Sequence, residues 1–473
     1  MFWNKRNNNR QIGTAMIWQS ICFALCFFSF MMAEAMTNSR AAELLGAEYV
    51  NTVYAIGLLC TGIGFLSFSA LRRLFKSERL RKSVICIVGI ACIVFCCVFL
   101  TTNHIGLFAS FAGLALVSCG HIGGCVYYHH AMTFLGSPYI GRATGIGMSI
   151  AILLQILIHN LIISKAVFII SIAISILLVL FIIFRLPKDW MLENPLPYSS
   201  ENKTDKKTAG ILIAAVALMS LVSGTMDAVI TFFDAAGELN VYYGVRLFYA
   251  LGLLAAGFLA DMQNKKYLPL ATACIILLSS ASTALLGSNA GAYTGIALMY
   301  LYSGFYVIFF TVMFCDFAPK TKHPELWAGM GRVVRCVFVS LTVMPVMQIY
   351  KAAGSAALVV ISCALSIVLL LVLLPFIVSA LKKEPEIQAE TPSHEELMQR
   401  FAKLYALTPR ETEVLEKLLS TEEGVQEIAD GLFIQGVFCK DTFRLFMKKR
   451  GQSPESDFFK IIPGILQKTN KMA

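Results

Sequence analysis

Positively charged side chains are concentrated near the end of the chain, in one segment with helical periodicity. They are Lys440, Arg444, Lys448, Lys449 and Arg450. The segment from Glu384 to Asp430 before them is acidic, so the sign of the charge reverses along the region. Lys and Arg side chains bind phosphate, and a merely solvated helix face would not need this segregation. The charge pattern therefore favours nucleic acid as the partner of this region.

The residues around the basic segment predict three helices. The first covers about 409–419 and follows Thr408, a good N-cap residue. A short second helix covers about 425–433, and the basic third helix begins near Val437 and ends at Gly451. A supporting helix, a tight turn and a basic helix together form a helix-turn-helix, whose second helix can enter the major groove of DNA.

The same segment resembles the LuxR-type DNA-binding domain. The matching residues are Leu407 to Glu411 (LTPRE), Val414-Leu415, Glu427-Ile428-Ala429, Leu432-Phe433-Ile434, Lys440, Lys449 and Gly451. The resemblance implies that Lys440, Thr442 and Arg444 lie at the groove. It also implies that Lys448, Lys449 and Arg450 contact phosphate, and that a closing helix over about 458–462 supports a homodimer. The alternative is a helical module that contacts protein instead of DNA.

Two carboxylates, Glu34 and Asp227, stand in apolar segments far from the tail. They are separated by 193 residues, and two other matches recur at that spacing, Gly64 with Gly257 and Arg142 with Arg335. A charged residue within a bilayer costs about 2.5–3.5 kcal/mol on insertion scales, so such a residue is usually paired, hydrated or functional. We expect the two acids to hold a cation, a proton or an amine-bearing ligand. The alternative is that both lie at the headgroup boundary and are simply solvated.

The composition places most of the chain in a membrane. Hydrophobic residues make up 57% and charged residues 14% of the 473 residues, whereas soluble proteins carry about 25% charged residues. Apolar runs of about 20 residues predict twelve spanning helices. They cover about 12–35, 49–71, 83–101, 105–127, 143–163, 166–186, 209–231, 241–261, 268–288, 292–314, 329–350 and 354–380.

The connections between these runs predict an orientation. Alternate connections are basic, with Arg72, Arg73, Lys76, Arg79, Arg81, Lys82, Arg142, Arg185, Lys188, Lys203, Lys206, Lys207, Lys265, Lys266, Lys320 and Lys322. The others carry little more than Arg40, Lys165 and Lys351. By the positive-inside rule, both termini are cytoplasmic. We expect a multi-pass protein of the bacterial inner membrane, with the lipid bilayer as a partner and the tail on the side where DNA lies.

One connection carries a recognisable motif. Gly257-Phe-Leu-Ala-Asp261, followed by Lys265 and Lys266, is similar to the signature loop of the major facilitator superfamily. The resemblance implies two six-helix halves, about 12–186 and 209–380, divided by the long polar loop 186–208. It also implies that Asp261 caps or ion-pairs at a neighbouring helix end. In the first-half copy, Phe68 stands where the aspartate would be.

Other chemistry is not indicated. The sequence has 14 cysteines, most of them in apolar runs and without metal-ligand spacing, which is typical of small apolar residues. The pair His129-His130 is expected at headgroup level at a helix end. We found no nucleophile elbow, phosphate loop or carboxylate pair suited to soluble chemistry, and we expect neither an enzyme, a metal site nor a cofactor.

The sequence therefore predicts an all-α protein, a polytopic membrane helical bundle with a C-terminal helix-turn-helix domain. The bundle covers 1–380, a Pro- and Glu-rich linker covers 381–399, and the helix-turn-helix domain covers 400–473. The predicted function is a membrane-bound transcriptional regulator whose bundle senses an unknown small molecule or ion. The alternative is a facilitator-type transporter of a small molecule, with a regulatory or vestigial tail.

Overall fold

The computed structural model describes residues 2–75, 77–135, 137–161, 164–185, 206–265, 267–287 and 289–381, together with 408, 412 and 413. The chain divides into two compact units, Ile12–Leu381 and a second that joins Met1–Gln11 to Lys382–Ala473. Almost all of the described residues belong to the first unit.

Every long element among the described residues is an α-helix. In chain order these are α1 (Phe2–Leu45), α2 (Ala47–Leu74), α3 (Glu78–Thr101), α4 (Ile105–Thr133), α5 (Ile140–Leu161), α6 (Lys165–Arg185), α7 (Lys206–Ala235), α8 (Leu247–Asp261), α9 (Tyr267–Ser282), α10 (Asn289–Phe317) and α11 (Pro324–Leu381). Short 3₁₀ turns lie next to several of them, for example Gly244–Arg246 before α8. The all-α prediction is confirmed for this part of the chain.

The last element, α11, reverses its direction at Gly354. This glycine has φ 70° and ψ −168°, a backbone conformation that is not helical. Thr342 lies against Gly224 of α7, and Ser362 Oγ lies 3.0 Å from Oγ1 of the next residue of α7, Thr225. Residues 342 and 362 would be about 30 Å apart on a straight helix. The two arms, 324–353 and 355–381, therefore run past α7 at the same height. They correspond to the two separate spans that the sequence predicted.

The helices have the surface of a membrane protein. Eleven of them, within the described residues, are long and apolar enough to cross a bilayer. Large apolar side chains face outward along them, such as Ile87, Val360 and Leu371, which are 65%, 69% and 65% exposed. Because each helix satisfies its own backbone hydrogen bonds, such a bundle can expose this surface to lipid. The protein is a multi-pass membrane protein.

Two ends of the bundle are distinguished by charge. We call the end that carries Arg73, Arg142, Lys265 and Lys320 the basic end, and the end at Gly46 and Gly354 the far end. Helices α5 and α8 cross closely near the basic end, where glycines face each other. A Cβ atom on Gly257 would lie 2.6 Å from the carbonyl oxygen of Gly141, so only glycine permits this approach.

Several predicted boundaries were wrong. Helix α1 continues to Leu45, ten residues beyond the predicted end at 35, and α11 begins at Pro324, five residues before the predicted start at 329. These shifts move charged residues away from the predicted helix ends and into the bundle. His129 and His130 lie in the last turns of α4, as expected of a helix end, and their side chains are buried, with 1% and 0% exposure. His130 Nε2 lies 2.9 Å from Thr144 Oγ1.

Candidate functional site

A polar cavity of about 300 Å³ lies in the middle of the bundle. It extends toward the far end, where exposed Ser39 and the helix-end residue Asp234 belong to its wall. The charged and aromatic lining residues come from α1, α2, α7, α8, α10, α11 and the short segment before α8. They are Glu34, Tyr54, Asp227, Asp234, Tyr242, Arg246, Tyr249, Tyr300, Tyr306, Arg332 and Arg335.

The two acids singled out by the sequence both line this cavity. Glu34 lies eleven residues before the end of α1, about 16 Å along the helix, and Asp227 lies eight residues before the end of α7, about 12 Å. The Ser223 hydroxyl donates a 3.2 Å hydrogen bond to Oδ2 of Asp227. The structure thus brings the acids to one cavity inside the bundle, and the alternative of two solvated residues at the headgroup boundary does not describe them.

Three arginines share the cavity with these acids. Arg246 precedes α8, and Arg332 and Arg335 lie on the first arm of α11. Arg335 Nη2 lies 3.9 Å from Asp227 Oδ2, the only ion pair within 4.0 Å that the described residues form among the charged groups of the cavity. The predicted span start at 329 put Arg335 near a helix start, whereas α11 begins at Pro324 and Arg335 lies about 16 Å farther along it.

The other two arginines are held by aromatic rings. The guanidinium of Arg332 lies 4.8 Å from the ring centre of Phe30 and 5.3 Å from that of Phe27. Arg246 donates a 3.1 Å hydrogen bond to the Tyr300 hydroxyl, and its guanidinium lies 4.7 Å from the ring centre of Tyr242. Cation–π contacts stabilise a guanidinium without neutralising its charge. Both arginines therefore present positive charge at the cavity.

Tyrosines form much of the remaining wall. Tyr249 and Tyr300 are stacked, with ring centres 5.9 Å apart and an angle of 15° between the rings. Tyr306 is buried, and its hydroxyl lies 2.5 Å from Ser220 Oγ. Aromatic walls with a few polar groups are typical of sites for small organic ligands. Three guanidinium groups beside the acids do not favour a bare cation as the ligand.

The signature loop lies away from the cavity, at the basic end. Asp261 is 1% exposed, and its oxygens accept hydrogen bonds from the backbone N–H groups of Gly141 (2.6 Å) and Arg142 (2.9 Å). Arg142 Nε also donates to Oδ2 of Asp261 at 3.0 Å. Lys265 pairs with Asp316 at 2.7 Å, whereas Lys266 lies outside the described residues. The aspartate caps the N-terminus of α5 and joins α5 to α8.

At the first-half copy of the motif, the chemistry is different. Phe68 packs in the core, and a Cβ atom on Gly124 of α4 would meet its Cβ at 2.9 Å. The neighbouring connection is instead an ion pair between Arg73 of α2 and Glu325 of α11, at 3.4 Å. Here the basic residue comes from α2 and the acid from α11. The Asp261 and Glu325 connections at the basic end therefore differ in chemistry.

Four other buried polar residues of the spanning helices have structural partners outside the cavity. The side-chain amides of Gln19 and Gln155 donate to the carbonyl oxygens of Val126 and Met31, both at 3.0 Å. The Tyr302 hydroxyl donates to the Met219 carbonyl oxygen at 2.9 Å. His121 Nδ1 lies 2.8 Å from Ser67 Oγ. None of the four lines the cavity.

The tail is described at three residues only. Thr412 N–H donates a 2.9 Å hydrogen bond to the Thr408 carbonyl oxygen, and Thr412 and Glu413 are helical, within the range 409–419 predicted for the first helix of the tail. The predicted DNA-binding residues Lys440, Thr442, Arg444, Lys448, Lys449 and Arg450 lie outside the described residues. Within the described part of the chain, no cluster of three or more His, Cys, Asp or Glu side chains could hold a metal ion.

Comparison with known proteins gives a likeness of fold only. No protein-family model matches the chain, and no curated protein matches its sequence. Among solved structures, the human organic anion transporter MFSD10 (TETRAN) is similar, with a TM-score of 0.57 and 15% sequence identity. The match covers 77% of this chain and 99% of that transporter. The membrane bundle therefore has a fold like that of this solved structure.

Proposed function

We propose that the bundle is a secondary transporter for a small organic molecule that bears an anionic group. The observation that carries this proposal is the set of three arginines at one cavity, of which only Arg335 has an ion-pair partner there among the described residues. An anion would replace the missing partners of Arg246 and Arg332. The likeness to a structure described as an organic anion transporter supports the same conclusion.

Transport by the purified, intact chain in liposomes tests this proposal. Labelled small carboxylates would be offered to vesicles that contain the wild type, Arg332→Gln or Lys320→Gln. Lys320 is exposed at the basic end and does not line the cavity, so its variant is the matched control. We expect uptake by the wild type and the control and a loss of about tenfold or more for Arg332→Gln, since one charge-assisted hydrogen bond contributes about 1.5–3 kcal/mol. Equal uptake by all three proteins would contradict the proposal.

A second candidate function, transcriptional regulation, rests on the tail. The LuxR-type resemblance of residues 407–451 and the helical residues Thr412 and Glu413 support a helical domain there. We propose that this domain binds DNA, that it forms a homodimer, and that the ligand of the bundle controls it. The proposal includes a bacterial inner membrane with both termini in the cytoplasm, and a chain without enzymatic activity. A reporter fused after Ala473 that is active outside the cytoplasm would exclude it.

A further inference from the structure

The cavity contains buried polar atoms of two opposite kinds that lack partners within the described residues. Oε2 of Glu34 is an acceptor without a donor. Nε of Arg246 and both Nε and Nη1 of Arg335 are donors without an acceptor. Buried polar groups are almost always hydrogen-bonded, so each such atom needs an explanation. All four belong to residues that line one cavity.

These groups do not satisfy one another. Glu34 has no ion pair within 4.0 Å among the described residues, although it lines the same cavity as the arginines. Arg335 uses only Nη2 toward Asp227, at 3.9 Å. Glu34, Arg246 and Arg335, the residues that carry these atoms, therefore border one shared space of about 300 Å³, which lies at the lower end of the range for small-molecule sites.

A ligand with one kind of charge would satisfy only part of this set. A simple anion would pair with the arginines and would leave the Glu34 carboxylate facing a second negative charge. A simple amine would pair with Glu34 and would leave the guanidinium groups without acceptors. Because charges interact strongly in a partly buried site, either arrangement costs affinity. A molecule with both groups satisfies the whole set.

The aromatic walls of the cavity add a third requirement for the ligand. The stacked rings of Tyr249 and Tyr300 and the buried ring of Tyr306 line the cavity. Such surfaces favour an aromatic body, because aromatic rings attract one another in offset or edge-to-face contact.

We propose that the cavity binds an amphoteric aromatic molecule of the amino-acid type. Its protonated amine pairs with Glu34, its carboxylate accepts from Arg335 and Arg246, and its ring packs on the tyrosines. This inference rests on the proposed function, because it specifies the substrate class of the same site.

Three probes with one ring and different charged groups test the inference. They are phenylalanine, with both groups, 3-phenylpropionate, with the acid alone, and phenethylamine, with the amine alone. Binding to the intact purified chain would be measured by calorimetry for the wild type, Glu34→Gln and Glu43→Gln. Glu43 lies on the same helix, pairs with Lys165 at 2.7 Å and does not line the cavity, so its variant is the matched control.

We expect the wild type and Glu43→Gln to bind phenylalanine about tenfold more tightly than either other probe. In Glu34→Gln this preference over 3-phenylpropionate should disappear, whereas Glu34→Asp should retain it. Size-exclusion profiles establish that each variant is folded. If Glu34→Gln does not fold, the ratio of the wild-type affinities for phenylalanine and 3-phenylpropionate still tests the inference.

The outcomes separate the two proposals. Binding of 3-phenylpropionate at least as tight as that of phenylalanine would overturn the amphoteric ligand and leave the anion transporter intact. If Glu34→Gln still prefers phenylalanine over 3-phenylpropionate, the Glu34 carboxylate does not bind the amine, and this too would overturn the inference. If phenethylamine binds best, or if neither acid binds, both the inference and the proposed function are wrong.

Discussion

Asp261 accepts a 2.6 Å hydrogen bond from the backbone N–H of Gly141, and so ties the end of α8 to the first turn of α5. The carboxylate is almost fully buried and also pairs with Arg142. One side chain thus caps a helix, neutralises a cation and connects two helices that cross at the basic end.

Replacing Asp261 with Ala should destabilise the protein. The lost cap alone costs about 0.5–2 kcal/mol, and the Arg142 pair adds little because that arginine is 42% exposed. Thermal unfolding in detergent and faster hydrogen exchange at the amides of Gly141 and Arg142 would record the effect. Asp316→Ala is the control, because Asp316 pairs with Lys265 and Lys320 in the described contacts and should cost less. Equal losses for both variants would contradict the capping role.

The close crossing of α5 and α8 predicts that Gly257 does not tolerate a side chain. In Gly257→Ala the new methyl group would lie 2.6 Å from the Gly141 carbonyl oxygen, so the helices must separate. We expect a loss of about 1–3 kcal/mol, measured as a lower unfolding temperature. Gly210→Ala is the matched control, since nothing lies within 4 Å of its added Cβ atom. A Gly257→Ala protein as stable as this control would show that the helices are not in contact there.

The pair Asp227–Arg335 predicts a rescue. Asp227→Asn and Arg335→Gln should each destabilise the protein, because each leaves a charge without its partner, while the double variant should recover most of the loss. We expect each single loss to stay below the about 3–5 kcal/mol of a fully buried pair, since the cavity leaves these side chains 16% and 13% exposed. A double-mutant cycle in thermal unfolding measures the coupling.

The exposed pair Lys165–Glu43 provides the comparison for that cycle. Its side chains are 48% and 47% exposed, so Lys165→Gln should change stability by less than about 1 kcal/mol. Additive losses for Asp227 and Arg335 would mean that the two charges do not interact.

The tail predicts a separate set of results. In the intact protein, Lys440→Ala combined with Arg444→Ala should abolish the enrichment of specific DNA in a chromatin pull-down. Lys448→Ala should instead weaken binding to all sequences alike and reduce the salt dependence, as expected of a phosphate contact. Absence of any enriched DNA with the wild type, relative to a chain truncated after residue 396, would make the tail a protein-contact module.

Part of the site could be predicted from the sequence. Glu34 and Asp227 were recognised because a carboxylate in an apolar run is costly and therefore informative. Asp261 was recognised because its motif specifies a helix end. In each case the residue differs from its neighbours in the sequence, so it can be recognised without knowledge of the tertiary structure.

The arginines of the cavity could not be placed in the same way. Arg332 and Arg335 follow the predicted start of a span at 329 by only a few residues, where a basic residue is ordinary. The extra residues from Pro324 onward set their depth. The predicted span 241–261 contains Arg246, and its hydrogen-bond partner Tyr300 comes from a separate segment, α10. Depth and partners are tertiary properties, which periodicity does not encode.

The reversal at Gly354 decides at which end of the bundle α11 finishes. A straight helix of 58 residues would extend about 87 Å, nearly three times the hydrocarbon thickness. Folded back at Gly354, the helix crosses the bundle twice within the described residues, so Leu381 returns to the basic end. Gly354 lies in a backbone region that is essentially restricted to glycine, where another residue costs about 1–3 kcal/mol. A single residue without a side chain thus turns the second arm of α11 back toward the end of the bundle at which the first arm begins.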